Sequence, residues 1–130
     1  MKFTLVIQSS PVNTEGSLTA LRFAEALIAN NQQIYRVFLT SDGVLNTSAL
    51  TQMPQGENNL PELWHKFAKD NHIEIVACIS AALKRGVINS AEANRYQKES
   101  SNMFDDTVLA GLGEYVDALK ESDRVVCFGV

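Results

Sequence analysis

The chain has 130 residues, of which 45% are hydrophobic and 20% charged, a size and balance that predict one folded domain spanning residues 1–130. The formal net charge is -4 and no basic cluster exceeds the pair Lys84-Arg85, so direct binding to nucleic acid is not expected. No apolar run approaches the roughly 20 residues of a membrane span, and the amino terminus lacks the apolar region and cleavage site of a signal peptide, so we expect a cytoplasmic protein.

The first half of the chain alternates strand and helix patterns. Ser17 has the character of an N-cap for a helix whose apolar residues recur at i, i+3 and i+4 spacing. The polar segment 40–59 is interpreted as a long connection with at most a short helix around 47–50, after which Asn59 caps the next helix. The predicted elements are a strand at 3–8, a helix at 17–29, a strand at 34–39 and a helix ending before Asn71.

The second half continues the alternation with shorter elements. The segment 107–119 predicts one helix, although Gly111 and Gly113 weaken it by about 1 kcal/mol each relative to Ala. Its apolar residues at helical spacing are Val108, Leu112, Tyr115, Val116 and Leu119. The other predicted elements are a strand at 73–78, short helices through Arg85 and at 90–97, and a last strand at 124–128.

Strands that alternate with helices predict the α/β class, a single-domain Rossmann-like or flavodoxin-like parallel sheet with helices on both faces. In such sheets, ligand-binding and catalytic residues lie at the carboxyl ends of the strands. The loop 9–16, the connection 40–59 and Cys78 all follow or end predicted strands, so we expect them at one edge of the sheet.

Cys78 is the candidate catalytic residue. It ends a strand and precedes a helix-prone segment, where backbone amides and helix-end potential favour the thiolate that attacks sulfur or carbon. We expect the thiol to be exposed at the sheet edge, because the following residues Ser80 to Ala82 are small. Free cysteines are also among the most buried residue types, so an inert core thiol is the alternative.

The remaining polar side chains predict no second centre. Cys127 lies within the last predicted strand and is interpreted as a core residue, and the two cysteines are expected to be free thiols. With His65 and His72 they do not offer the ligand spacing of a metal site, and no cofactor is predicted. The carboxylates are interpreted as a solvated helix start and a solvated helix face: Asp105, Asp106, Glu114, Asp117, Glu121 and Asp123. The loop 9–17 allows a weaker hypothesis of flavin or nucleotide binding, against which Glu15 and the lack of a glycine fingerprint argue.

Seven segments spread over the chain share a family pattern: 23–29, 37–38, 42–44, 78–87, 100–102, 109–113 and 123–126. Through these segments the sequence resembles the sulfurtransferases of the DsrE-like family, on its TusD-like branch. Departures lie in the loop 12–17, at Leu39-Thr40, where aromatic character is expected, and at Cys127.

The resemblance implies a cytoplasmic sulfur relay in which Cys78 accepts sulfane sulfur as a persulfide and passes it to a carrier protein. It further implies a heterohexamer with TusB-like and TusC-like subunits, a TusA-like donor and a TusE-like acceptor, with 2-thiouridine in tRNA as the end product. Two alternatives stay open: a subunit of dissimilatory sulfur oxidation, and a non-catalytic assembly subunit.

Overall fold

The computed structural model describes residues 1–129, in which strands and helices alternate as the sequence predicts. A 3-10 helix at Ser41–Thr47 follows the second strand. The strands are β1 (Lys2–Ile7), β2 (Gln33–Leu39), β3 (Ile75–Cys78), β4 (Val108–Ala110) and β5 (Arg124–Phe128). The helices are α1 (Gly16–Ala29), α2 (Leu60–Asp70), α3 (Ile79–Lys84), α4 (Ser90–Arg95) and α5 (Leu112–Glu121).

The five strands form one sheet in the order β4-β3-β2-β1-β5, and every neighbouring pair is parallel. Helices cover both faces. The ring of Phe23 on α1 packs against Phe3, and Ser122 at the end of α5 forms a hydrogen bond with Thr4. Because Phe3 and Thr4 are consecutive residues of β1, their side chains point to opposite faces of the sheet, so α1 and α5 lie on opposite faces. The predicted α/β class, with a parallel sheet and helices on both faces, is therefore confirmed.

A buried polar chain links α2, α1 and the 3-10 helix beside the end of β1. The Trp64 indole N–H donates to the Ser17 hydroxyl at 3.1 Å, which donates to the Asn46 side-chain oxygen at 2.7 Å. The Asn46 amide in turn donates to the Ser9 carbonyl at 3.1 Å. The prediction of Ser17 as N-cap is wrong, because α1 begins at Gly16 and the Ser17 hydroxyl is used in this network.

The largest departure from the predicted elements is β4. The segment predicted as one helix over 107–119 contains this three-residue strand, and α5 begins only after Gly111. A strand this short is stabilised by pairing with β3, which local periodicity does not reveal. The helix expected around 47–50 is likewise displaced, since the 3-10 helix occupies Ser41–Thr47.

Arg36 on β2 anchors α5 to the sheet. Its guanidinium is buried and donates to Glu74 at 2.9 Å, to the Glu114 carbonyl at 2.6 Å and to Asp117 at 3.1 Å. Because each partner keeps some contact with water, the buried charge is compensated without full desolvation of the acidic groups.

Within residues 1–129, no helix combines the length and apolar character that a bilayer crossing requires.

Candidate functional site

Cys78 lies at the carboxyl end of β3 and directly precedes α3. On one side, Ala110 of β4 is its register partner. On the other side, Leu39 of β2 pairs with Ala77, so Thr40 lies beside Cys78 one residue further along. The three strand-end segments predicted to share one edge of the sheet do share it.

The expected exposure of the thiol is wrong. Cys78 is 7% exposed. The end of β3, which the sequence predicted to be uncovered, is flanked by β4 and by the 3-10 helix. The residue thus lies just beneath the surface at the edge of the sheet. The small residues Ala81 and Ala82 are also buried, so they pack α3 onto the core.

The environment of the sulfur favours the thiolate. Burial is the largest single influence and raises the pKa of the Cys78 thiol, but four hydrogen-bond donors act in the opposite direction and the net pKa is lowered. The donors are the Ser80 hydroxyl, the backbone amides of Ala81 and Ser80, and the Thr40 hydroxyl. The Ser80 oxygen lies 3.4 Å from the sulfur. A thiolate held in this way is a competent nucleophile without a neighbouring histidine.

A tight turn over Thr40–Gly43 borders the sulfur. The Thr40 amide donates to the Ile7 carbonyl at 3.1 Å, and the Gly43 amide closes the turn onto the Thr40 carbonyl at 2.9 Å. Ser41 adopts φ +50, a region that costs a non-glycine residue about 1–2 kcal/mol. Gly43 is required because a Cβ there would lie 2.0 Å from the Ile7 oxygen.

An ion pair ties this turn to α3. The Arg85 Nε donates to the Asp42 carboxylate at 2.8 Å, and its Nη1 donates to the Ala81 carbonyl at 3.2 Å. The sequence pattern did not indicate these contacts of Thr40, Asp42 and Arg85, and Ser80 was predicted only to be a small neighbour of the thiol. One indication was available in the sequence. Thr40 follows β2 and Cys78 ends β3, so both residues were expected at the same edge of the sheet.

The loop after β1 does not support flavin or nucleotide binding. The Ser10 hydroxyl already accepts hydrogen bonds from the amides of Val12 and Asn13. Ser9 is buried, and its hydroxyl donates to the Gly129 carbonyl.

A nearby hollow of about 320 Å³ is lined by Glu15 and Glu57, which would repel a phosphate. A larger hollow of about 390 Å³ lies between α1 and α2, and Cys78 is not part of its lining.

The other residues considered from the sequence lie away from the thiol. The core assignment of Cys127 is wrong, because β5 is an edge strand and its thiol is exposed. His65 bonds Asp106 at 3.0 Å and stacks on Phe104 at 4.2 Å, so Asp106 is partnered rather than only solvated. Asp106 precedes β4, which places this pair at the opposite end of the parallel strands from Cys78.

The fold and the site together define a small α/β protein with a donor-stabilised thiol at the carboxyl edge of its sheet. The model of the DsrE/DsrF-like family matches residues 1–128, and the chain belongs to that family.

Three similar proteins illustrate the relationship. A protein of Pseudomonas aeruginosa named "Sulfurtransferase TusD homolog" is 40% identical over 99% of this chain and 98% of its own length. A "Putative sulfurtransferase DsrE" of Allochromatium vinosum is 36% identical over 99% of both chains. The crystal structure of the E. coli ychN protein has the same fold, with a TM-score of 0.75 and 22% identity over 98% of this chain and 99% of that one.

Proposed function

We propose that this chain is a sulfurtransferase subunit of a sulfur relay, a single DsrE-like domain over residues 1–130 that carries sulfane sulfur on Cys78. The observation that carries the proposal is the position of the Cys78 thiol at the carboxyl end of β3, with the Ser80 hydroxyl 3.4 Å from its sulfur; such donors lower the thiol pKa that burial alone would raise. Relatives of the same length, named sulfurtransferases, agree with this chemistry.

The proposed reaction is a thiol exchange. The Cys78 thiolate attacks the outer sulfur of a carrier persulfide, a new S–S bond forms, the carrier's S–S bond breaks, and the carrier leaves as a thiolate. Cys78 now holds the persulfide. Attack on its outer sulfur by an acceptor thiolate then releases the Cys78 thiolate, which the Ser80 and Ala81 donors stabilise as a leaving group. Sulfur moves without net oxidation, so the step requires no electron acceptor, metal or cofactor.

We propose TusB-like and TusC-like paralogous subunits as partners in a heterohexamer. The support is an apolar stripe on α5, where Leu112, Val116 and Leu119 are 66%, 46% and 45% exposed. Glu114 and Asp117 lie on the opposite flank of α5, where they pair with Arg36 on β2. The apolar stripe therefore faces the other side of the sheet, toward β5. Apolar residues grouped on one exposed flank are typical of a protein interface.

The proposed route has a TusA-like sulfur donor, a TusE-like acceptor and 2-thiouridine in tRNA as its product, in the cytoplasm. The acidic chain, with a net charge of -4, suits contact with carrier proteins and does not suit direct contact with tRNA.

The test is mass spectrometry after incubation with a persulfide-loaded sulfur donor. Trypsin places the two cysteines in separate peptides, 70–84 and 125–130, so each thiol is scored independently. We expect one added sulfur on the peptide of Cys78, none in Cys78→Ser, and unchanged loading in Cys127→Ser. Loading that survives Cys78→Ser would contradict the proposal.

Dissimilatory sulfur oxidation is a second candidate, because the DsrE relative of Allochromatium vinosum is nearly as similar as the TusD homolog. Deletion of the gene separates the two routes. Loss of 2-thiouridine from tRNA supports the thiolation route, and intact 2-thiouridine with impaired growth on reduced sulfur supports the oxidative one.

A non-catalytic assembly subunit is the third candidate, since a covered cysteine can serve packing alone. In that case Cys78→Ala would leave both the assembled complex and sulfur flow intact. Our proposal expects the same variant to preserve assembly and stop sulfur flow.

A further inference from the structure

The turn Thr40–Gly43 begins beside Cys78, because the register of β2 and β3 places Thr40 next to that residue, and the Thr40 hydroxyl lowers the pKa of the thiol. The third residue of the turn, Asp42, carries the carboxylate to which Arg85 donates. Since Arg85 follows α3, whose first residue is next to Cys78, the ion pair joins the two segments between which the sulfur lies.

The backbone of the turn is strained at one residue. Ser41 is held at φ +50, so relaxation of this residue toward an ordinary conformation would rotate the peptide that follows Thr40. The two ends of the turn are fixed by backbone hydrogen bonds, from the Thr40 amide to Ile7 and from the Gly43 amide to Thr40, and the Asp42–Arg85 pair restrains the tip between them.

We propose that the Asp42–Arg85 ion pair is a positioning device that holds the Thr40 hydroxyl against the Cys78 sulfur. The pair is partly exposed, with side-chain exposures of 47% for Asp42 and 29% for Arg85, and exposed pairs add little to global stability. Its effect is therefore expected in the placement of the turn. The inference rests on the proposed function for its significance, since positioning matters where Cys78 reacts.

The charged groups near Cys78 allow this role to be separated from simple electrostatics. Among the elements packed against the residue, β3 and β4 carry no charged side chain, and β2 carries Arg36, four residues before Thr40. The 3-10 helix carries Asp42, and Lys84 and Arg85 lie at the end of α3. Loss of a negative charge would lower a thiol pKa through space, and loss of a positive charge would raise it. Loss of a positioning pair raises it in both cases.

The test compares Asp42→Asn, Arg85→Gln and the double variant by pH-dependent alkylation of the full chain with iodoacetamide. Cys127 in the same sample is an internal reference, because its peptide 125–130 is separate. Asp70→Asn, which breaks the exposed Lys66–Asp70 pair, is the matched control. Circular dichroism and thermal melting confirm that each variant is folded.

We expect both single variants to raise the alkylation midpoint of Cys78 and to reduce its thiolate fraction at pH 7 about threefold, the effect of one weakened hydrogen bond. The double variant should match the singles, because the two groups act as one unit. Shifts in opposite directions, a shift in only one variant, or no shift would overturn the inference. Alkylation does not depend on sulfur transfer, so a chain that shows the expected shifts but accepts no sulfur contradicts the proposed function alone.

Discussion

Ala110 is the register partner of Cys78, and this pairing of β4 with β3 encloses the sulfur on the side away from β2. A thiol in this position is largely protected from bulk solvent, since 7% of the residue is exposed. On the other side lies the 3-10 helix, which Asn46 joins to Ser9 and Ser17 and which Asp42 joins to Arg85. The sulfur is therefore enclosed by β4 on one side and by an anchored 3-10 helix on the other.

Removal of the Ser80 hydroxyl tests the electrostatics of the thiol. The pKa of Cys78 is lowered, so its thiolate fraction at neutral pH exceeds that of an ordinary cysteine, and loss of a donor must raise the pKa. For Ser80→Ala we expect alkylation at pH 7 to slow about threefold, and to reach the wild-type rate at a pH above both pKa values. Ser100→Ala, in an exposed loop, is the control, and an unchanged pH profile for Ser80→Ala would contradict the account.

Two glycine substitutions test the close approach of the Thr40–Gly43 turn to β1. Gly43→Ala places a Cβ 2.0 Å from the Ile7 oxygen, so the backbone must move and stability falls by about 2 kcal/mol. Gly113→Ala in α5 meets no atom within 4 Å and should gain about 0.5–1 kcal/mol from helix propensity. Urea unfolding measures both, and equal effects of the two substitutions would be inconsistent with the described turn.

Replacement of Arg36 tests the anchor of α5. Arg36→Leu leaves Glu74, Glu114 and Asp117 without their shared cation, and since these carboxylates retain water we expect a loss of about 2 kcal/mol, below the full cost of a buried unpaired charge. Arg22→Leu, which removes an exposed pair with Glu25, should change the free energy of unfolding by less than about 0.5 kcal/mol. Chemical denaturation of the two variants decides between an anchor and an incidental surface contact.

A charge on the apolar stripe of α5 tests the subunit interface. Val116→Glu should leave the isolated chain folded, because the side chain is 46% exposed, and should abolish its co-purification with TusB-like and TusC-like subunits. Leu50→Glu adds the same charge at a residue that is 73% exposed and outside the stripe, and should assemble normally. Normal assembly of Val116→Glu would place the interface elsewhere.

The sequence predicted those features that depend on local pattern. The helix after Asn59 begins as expected, with the Asn59 side chain accepting from the Glu62 amide at 3.2 Å. The parallel sheet and the shared edge of the strand-end loops also follow from the alternation of elements.

The features it missed are set by tertiary neighbours. β4 exists through its pairing with β3, and that same pairing covers Cys78, so one error led to the other. Cys127 lies in an apolar segment, but its strand ends the sheet and leaves the thiol without a cover. The hydrophobic period of a single segment does not show whether that strand will lie at the edge of the sheet or be covered by a neighbouring strand.

The most direct measurement follows a labelled sulfur atom through the protein. The chain is loaded from a donor persulfide carrying isotopically labelled sulfane sulfur, freed of donor and mixed with the acceptor protein, and both are sampled over time by mass spectrometry. The account predicts that the label leaves peptide 70–84, which contains Cys78, at the rate at which it appears on the acceptor cysteine. Label that reaches the acceptor from Cys78→Ser chains, or that remains on Cys78 while the acceptor stays empty, would contradict it.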